Sequence, residues 1–160
     1  MIKIERVTVA EWALYREMRL TSLAEAPYAY GWTLQQAQDF TAEQWQQGLA
    51  ERVDFFARDL DRLVGTVGVV PAEDDPAAVE LTSMWVAPAA RGQGVAAALV
   101  GAVLAHALKV AAPAVSAWVS DGNDDAERLY QRHGFTRTGR SQPLPSAPGR
   151  SEFEMILPAS

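Results

Sequence analysis

The 160-residue sequence contains no cysteine. That absence excludes a disulfide framework, thiolate-ligated metal centres and a cysteine acyl-enzyme, so any acyl chemistry here must be direct or use another nucleophile. Lysine is almost missing as well, with Lys3 and Lys109 the only two among 14 basic residues. Positive charge is in deficit: the formal net charge is −6 and the sequence pI about 4.9. A nucleic-acid surface needs a basic stripe to displace counterions, so nucleic acid is not an expected partner, and the acidic balance mildly favours a cationic acceptor such as an amine. There is no long hydrophobic run either. The best candidate, Val95 to Val110, is interrupted by Gly101 and His106 and is largely alanine, short of the ~18 apolar residues that mark a membrane span. No charged segment followed by an apolar one opens the sequence, so a cytoplasmic protein is expected.

What is present is enough apolar residue, 49% of the chain, for one well-buried core at a length too short for two comfortable domains, so residues 1–160 read as a single domain. Ile2 to Val7 alternates apolar and polar as a half-buried strand does. Thr8-Val9-Ala10-Glu11 is a capping box, and the helix behind it repeats Trp12, Tyr15, Met18, Leu20 and Leu23 until Pro27 ends it. A loop follows, with Tyr28, Tyr30 and Trp32 beside Gly31. Leu34 to Phe40 suggests a helical piece, and Thr41-x-x-Gln44 opens a further helix. Val53–Arg58 and Leu63–Val70 form a hairpin, with Gly65 and Gly68 marking a close approach or a bulge. Later come the strands Val79–Val86 and Val115–Val119, a helix capped by Asn123 and closed by Gly134, and a strand pair at Phe135–Thr138 and Glu152–Leu157. Antiparallel strands followed by strand–helix–strand–helix fit an α+β or mixed α/β domain and not a doubly wound sheet.

The stretch from Glu80 to Val110 organises the rest. A strand halts at Pro88, passes through Arg91-Gly92-Gln93-Gly94 and opens into an alanine-rich helix expected from Gly92 to about Ala111. A helix leaves its first four N–H groups without intrahelical partners and carries partial positive charge there. Glycines remove the Cβ atoms that would keep a ligand off the backbone, so an anion cradle for phosphate or pyrophosphate results. Gly92-Gln93-Gly94-Val95-Ala96-Ala97 matches the dinucleotide pattern G-x-G-x-x-G/A, which leaves a nicotinamide-dependent oxidoreductase as one alternative. No acidic residue lies about twenty positions on, where that pattern expects one for the ribose.

The same residues spell Arg91-x-x-Gly94-x-Ala96, and about thirty positions later comes Asn123-Asp-Asp-Ala126-Glu-Arg-Leu129-Tyr130-Gln-Arg-His-Gly134-Phe135. Together, in this order, they resemble the two signature motifs of the GCN5-related N-acetyltransferases (GNAT). The resemblance implies that family's fold, a mixed and mostly antiparallel sheet of about seven strands flanked by helices, and acetyl-coenzyme A as co-substrate. It implies direct transfer to a primary amine of a small molecule or peptide, and admits a homodimer through the C-terminal strands. The cradle would comprise Arg91, Gly92, Gln93, Gly94, Val95 and Ala96, with Met84 and Val86 offering backbone to the pantetheine arm and Asn123 and Ala126 beside it. Tyr130 would be general acid for the departing thiolate. Glu80 would be the base that removes the ammonium proton, and Ser83 a residue that orients water or acceptor. Strand alternation places Glu80 on one face with Thr82, Met84 and Val86. Tyr28, Tyr30 and Trp32 would line the acceptor pocket, whose specificity would reside in Pro27–Phe40 and in the loop Gln142–Gly149. No metal is expected. A second alternative is a module of the same fold that binds acyl-coenzyme A without turnover. His106, on an apolar helix face, reads as a packed residue.

Overall fold

The computed structural model describes residues 1–26, 33–144 and 147–159. The elements are β1 (Ile2–Arg6), α1 (Trp12–Glu25), α2 (Leu34–Gln38), α3 (Ala42–Glu51), β2 (Val53–Asp59), β3 (Arg62–Pro71), β4 (Val79–Val86), α4 (Val95–Lys109), β5 (Ala114–Ser120), α5 (Asp124–Arg132), β6 (Thr136–Pro143) and β7 (Ser151–Pro158). The strands form one seven-stranded sheet in the order β1-β2-β3-β4-β5-β7-β6. Only β4 and β5 run parallel, with α4 as the crossover between them; every other neighbour pair is antiparallel.

Two apolar layers follow from alternation along the strands. Phe55 and Phe56 are adjacent in β2 and pack into different clusters, Phe55 beside α4 and Phe56 among α1, α2 and α3. On the first face Leu99, Val100 and Val103 of α4 are fully buried against Val67, Leu81, Val115 and Ala117; burying each such side chain stabilises the fold by ~1.5–3 kcal/mol. On the second, Tyr15, Leu23, Trp45 and Leu49 surround Phe56 and Trp85.

The start signals behave as their chemistry requires. Thr41 Oγ1 accepts from Gln44 N at 3.2 Å while Thr41 N donates to Gln44 Oε1 at 2.7 Å, and α3 begins at Ala42. At Thr8 the Glu11 carboxylate accepts from Thr8 N at 3.0 Å, but Glu11 N bonds the Thr8 carbonyl, so one 3-10 turn intervenes and α1 starts at Trp12.

Three expectations need correction. The helix after the glycine turn starts at Val95, not Gly92, because Gly92 (φ 79°) and Gly94 (φ 84°) hold left-handed conformations that no right-handed helix contains, and it ends at Lys109. The last strand pair is longer than its apolar residues suggested, since β6 reaches Pro143. Gln142 and Pro143 therefore belong to the strand, and Pro143 is tolerated because β6 is the sheet edge. Finally, Glu80, Thr82, Met84 and Val86 do not share a face. Gly68 pairs with Thr82 and Thr66 with Trp85, so β4 holds one residue more than β3 over this interval. Ser83, at φ 56°, takes up the extra residue. Past this bulge the faces exchange: Met84 and Val86 pack toward α4 with Leu81, and Trp85 turns to the α1–α3 side.

Candidate active site

The loop between β4 and α4 has the geometry of an anion cradle. Among the described residues the amides of Gly92, Gln93 and Gly94 find no acceptor, and those of Val95, Ala96 and Ala97 lack an intrahelical one because they open α4. A Cβ built at Gly92 or Gly94 would meet nothing within 4 Å, so the space over this backbone is open. The positive end of α4 faces the same space.

The cradle continues into a cleft within the sheet. β4 and β5 pair only through Val79–Val115, Glu80–Ser116 and Leu81–Ala117. Beyond Leu81 the bulge at Ser83 turns β4 aside and the two strands part. A non-glycine residue in the left-handed region costs ~1–3 kcal/mol, and a cost of that kind tends to be retained where a site needs it. The widened gap opens into a cavity of about 950 Å³ that runs from the cradle, past β4 and α5, to the open face of β5 and β7.

This cavity gathers most of the residues singled out from the sequence. Glu80, Ser83, Met84, Val86, Arg91, Gly92, Gly94, Val95, Ala96, Asn123, Ala126 and Tyr130 all line it. Gln93 does not; its side chain folds back to the Ala89 carbonyl at 3.4 Å. Tyr28, Tyr30 and Trp32 lie outside the described residues. Asn123 performs the capping predicted for it, its Oδ1 accepting from Ala126 N at 3.2 Å. Arg91, expected to reach toward a phosphate, holds Glu25 instead, with Nη2 2.9 Å from both carboxylate oxygens and Nε donating to the Val86 carbonyl at 3.1 Å. His106 lies at the far end of α4, edge-on to Phe55 with centroids 6.5 Å apart, and takes no part in the cavity.

Two of these residues have strongly shifted acidity. Burial pushes the Glu80 carboxyl up to about 7, helped by repulsion from Glu152, Glu73 and Glu154, so it exchanges a proton near neutrality. Burial also pushes the Tyr130 phenol well above its usual range. Its ring packs on Phe135 at 5.4 Å, and the hydroxyl makes no hydrogen bond among the described residues. A phenol of that kind stays protonated and can donate to a charge that develops in front of it.

Sequence reasoning missed several lining residues. Arg19 lies on the buried side of α1, Arg52 precedes β2, Glu73 is in the β3–β4 turn, and Glu152 starts β7 with its carboxylate accepting from Gln142 Nε2 at 2.7 Å. A signal for Arg19 existed, because positions 15, 18, 19, 22 and 23 follow one helical stripe and all are buried. Among the described residues no group of three or more histidine, aspartate or glutamate side chains could hold a metal ion, and no helix is long and apolar enough to cross a membrane.

Comparison with known proteins gives this geometry a family. A model of the acetyltransferase (GNAT) family matches residues 17–135. A mycothiol acetyltransferase from Geodermatophilus obscurus is 33% identical over 120 residues, which is 72% of this chain and 38% of the relative; the chain thus spans about two fifths of that protein's length. Solved structures share the fold at low identity. A ribosomal-protein-alanine N-acetyltransferase from Brucella melitensis superposes with a TM-score of 0.81 at 19% identity, covering 98% of this chain and 99% of its own. The yncA protein of Salmonella typhimurium, solved with its cofactor acetyl-CoA, gives a TM-score of 0.78 at 17% identity over 99% and 94% of the two chains.

Proposed function

For a chain that belongs to the GNAT acetyltransferase family, we propose direct transfer of an acetyl group from acetyl-coenzyme A to a primary amine of a small molecule or peptide, without an acyl-enzyme. One observation carries the reading: a single cavity joins the glycine cradle at Gly92–Ala96, the Tyr130 hydroxyl and the near-neutral carboxyl of Glu80. The family assignment replaces the nicotinamide alternative.

The cradle amides and the dipole of α4 would hold the diphosphate, and the side of β4 that faces the cleft beyond Leu81 would receive the pantetheine arm as an added strand. The thioester supplies an activated carbonyl. The chain's own residues manage the protons. An amine of ordinary basicity is protonated at neutral pH and cannot attack until it loses a proton. Glu80 accepts that proton, through water, at a pH matched to its acidity. As the C–N bond forms and the C–S bond breaks, the sulfur gains negative charge, and Tyr130 donates a hydrogen bond to it. A phenol raised so far by burial is a weaker acid than a thiol, so it stabilises the leaving thiolate without surrendering its proton outright. A homodimer through the C-terminal strands would form along β6, the sheet edge.

The test is acceptor-dependent release of the coenzyme thiol. Because the chain has no cysteine, a thiol reagent reports the product without background from the protein. Release across an amine panel, with acetylated product identified by mass spectrometry, is the expected result; coenzyme binding with no acceptor-dependent release would instead identify a binding module.

A further inference from the structure

One end of the cavity carries carboxylates that are paired with no cation. The pairing Glu80–Ser116 and the pairings Trp118–Glu154 and Ser120–Glu152 put these side chains on the same side of the sheet, so Glu80 and Glu152 look into one space. Glu73, in the β3–β4 turn, joins them at the rim. Glu152 accepts from the neutral amide of Gln142 at 2.7 Å, and among the described residues no ion pair holds Glu73, Glu80 or Glu152. Of the guanidinium groups that line the cavity, Arg52 is held by Asp54 and Tyr15, Arg91 by Glu25 and Arg128 by Asp125. Arg19 and Arg132 stand on α1 and on the exposed last turn of α5, and the charges that bear on the Glu80 carboxyl are those of Glu152, Glu73 and Glu154. The Tyr130 side chain, 4% exposed and with no hydrogen bond among the described residues, lines the same cavity; an unmet donor so deeply buried marks the place as shaped for a ligand.

An aromatic surface lies between the two carboxylates. Trp118, half-buried and part of the lining, comes two positions after Ser116 and two before Ser120, so its ring stands between Glu80 and Glu152. An indole face receives alkyl chains and cations alike, and this one already carries a guanidinium, with Arg140 Cζ 5.6 Å from the ring centroid. Arg140 is held by Glu154 at 3.3 Å and by Asp74, and is not part of the lining. Four positions along β5 and two strand spacings across set the Cα atoms of Glu80 and Glu152 about 16 Å apart. Two N–H···O contacts of about 2.9 Å and the lean of the two side chains leave about 6–9 Å, the length of an extended chain of about four to six carbons with a nitrogen at each end.

We infer that the acceptor is an aliphatic diamine, one nitrogen at Glu80, the carbon chain across Trp118 and the second nitrogen, still protonated, at Glu152. This rests on the acetyltransferase reading and narrows it. The first amine gives a proton to Glu80 and bonds to the acetyl carbon as the C–S bond breaks and the thiolate leaves. The second is not consumed and keeps its charge opposite Glu152, with Glu73 at the rim. A monoamine leaves Glu152 unpaired, and an amino acid turns a like charge toward it.

The experiment compares three sets under the thiol-release assay, matched in length from about three to eight carbons: α,ω-diamines, straight-chain monoamines and ω-amino acids. The inference expects the best diamine, at about four to six carbons, to show a kcat/KM at least tenfold above the monoamine of equal length, and the amino acid to fall below both. Glu152→Gln, which keeps an oxygen for Gln142 and is checked for folding by circular dichroism, should bring the diamine-to-monoamine ratio close to one, chiefly by raising KM for the diamine, and Glu152→Asp should hold part of it. A ratio below tenfold at every length, or one that Glu152→Gln leaves unchanged, overturns the inference while turnover of the other amines leaves the acetyltransferase reading intact; no thiol release with any amine removes both. Should Glu152→Gln fail to fold, the wild-type ratios still decide.

Discussion

Glu25 and Arg91 are 66 positions apart and joined by a forked contact in which Arg91 Nη2 lies 2.9 Å from both carboxylate oxygens. The same carboxylate accepts from Trp85 Nε1 at 2.9 Å, and with Arg91 these two donors hold its pKa below the usual carboxylate range. The last turn of α1 is thereby fastened to β4 and to the loop that opens the cradle. The cation nearest the cradle glycines is thus already engaged by a carboxylate that would compete with a bound diphosphate.

Glu25→Gln keeps an oxygen for Trp85 and removes that competing charge. Titration calorimetry with coenzyme A should show affinity equal to or up to a few-fold tighter than the parent, whereas Arg91→Gln should weaken it by about tenfold. Weaker binding by Glu25→Gln would contradict the competition.

The proposal that Glu80 is the base predicts a pH dependence. A base is active when deprotonated, so kcat/KM should rise with pH through about 7 and level off above it, and Glu80→Gln should abolish that limb and lower kcat by about 10²–10⁴. Stability runs the other way. Since burial lifts this carboxyl from 4.5 to about 7, the folded chain keeps a proton that the unfolded chain releases in that interval, and stability falls as pH rises through it. Thermal melts should therefore show Glu80→Gln raising Tm more at pH 8 than at pH 5; a larger gain at pH 5 would refute the assignment.

Tyr130→Phe removes a hydroxyl that bonds to no described residue and leaves the ring on Phe135. Its Tm should match the parent while kcat drops by about 10²-fold. An unchanged kcat would remove Tyr130 from the chemistry.

Gly65 is a packing position. An added Cβ would meet the Trp85 carbonyl at 2.8 Å, Leu99 Cδ1 at 3.1 Å and Val95 Cγ1 at 3.2 Å. Gly65→Ala should cost ~1–3 kcal/mol in urea denaturation, as overpacked cores do.

How far the sequence reaches can be seen at particular residues. The glycine turn was legible because Gly92 and Gly94 precede an alanine-rich helical segment, and the α5 cap because Asn123 carries its own acceptor. The close approaches at Gly65 and Gly68 were legible as glycines within a strand. The bulge was not. Serine gives no sign of a left-handed backbone, and the register slip that re-aims Met84, Trp85 and Val86 comes from pairing with β3. The far lining of the cavity was hidden for a similar reason. Arg19, Arg52 and Glu152 come from three separate parts of the chain and meet only through the register of the sheet and the docking of α1.

The most direct test of the cradle is calorimetric titration of acetyl-coenzyme A into the parent and into Gly94→Asn. Asparagine tolerates the left-handed conformation of Gly94, and its side chain would project into space that is open within 4 Å of the Cβ. The account predicts a folded variant, with Tm within a few degrees of the parent, whose affinity falls at least tenfold. Equal affinity in the two proteins would contradict it.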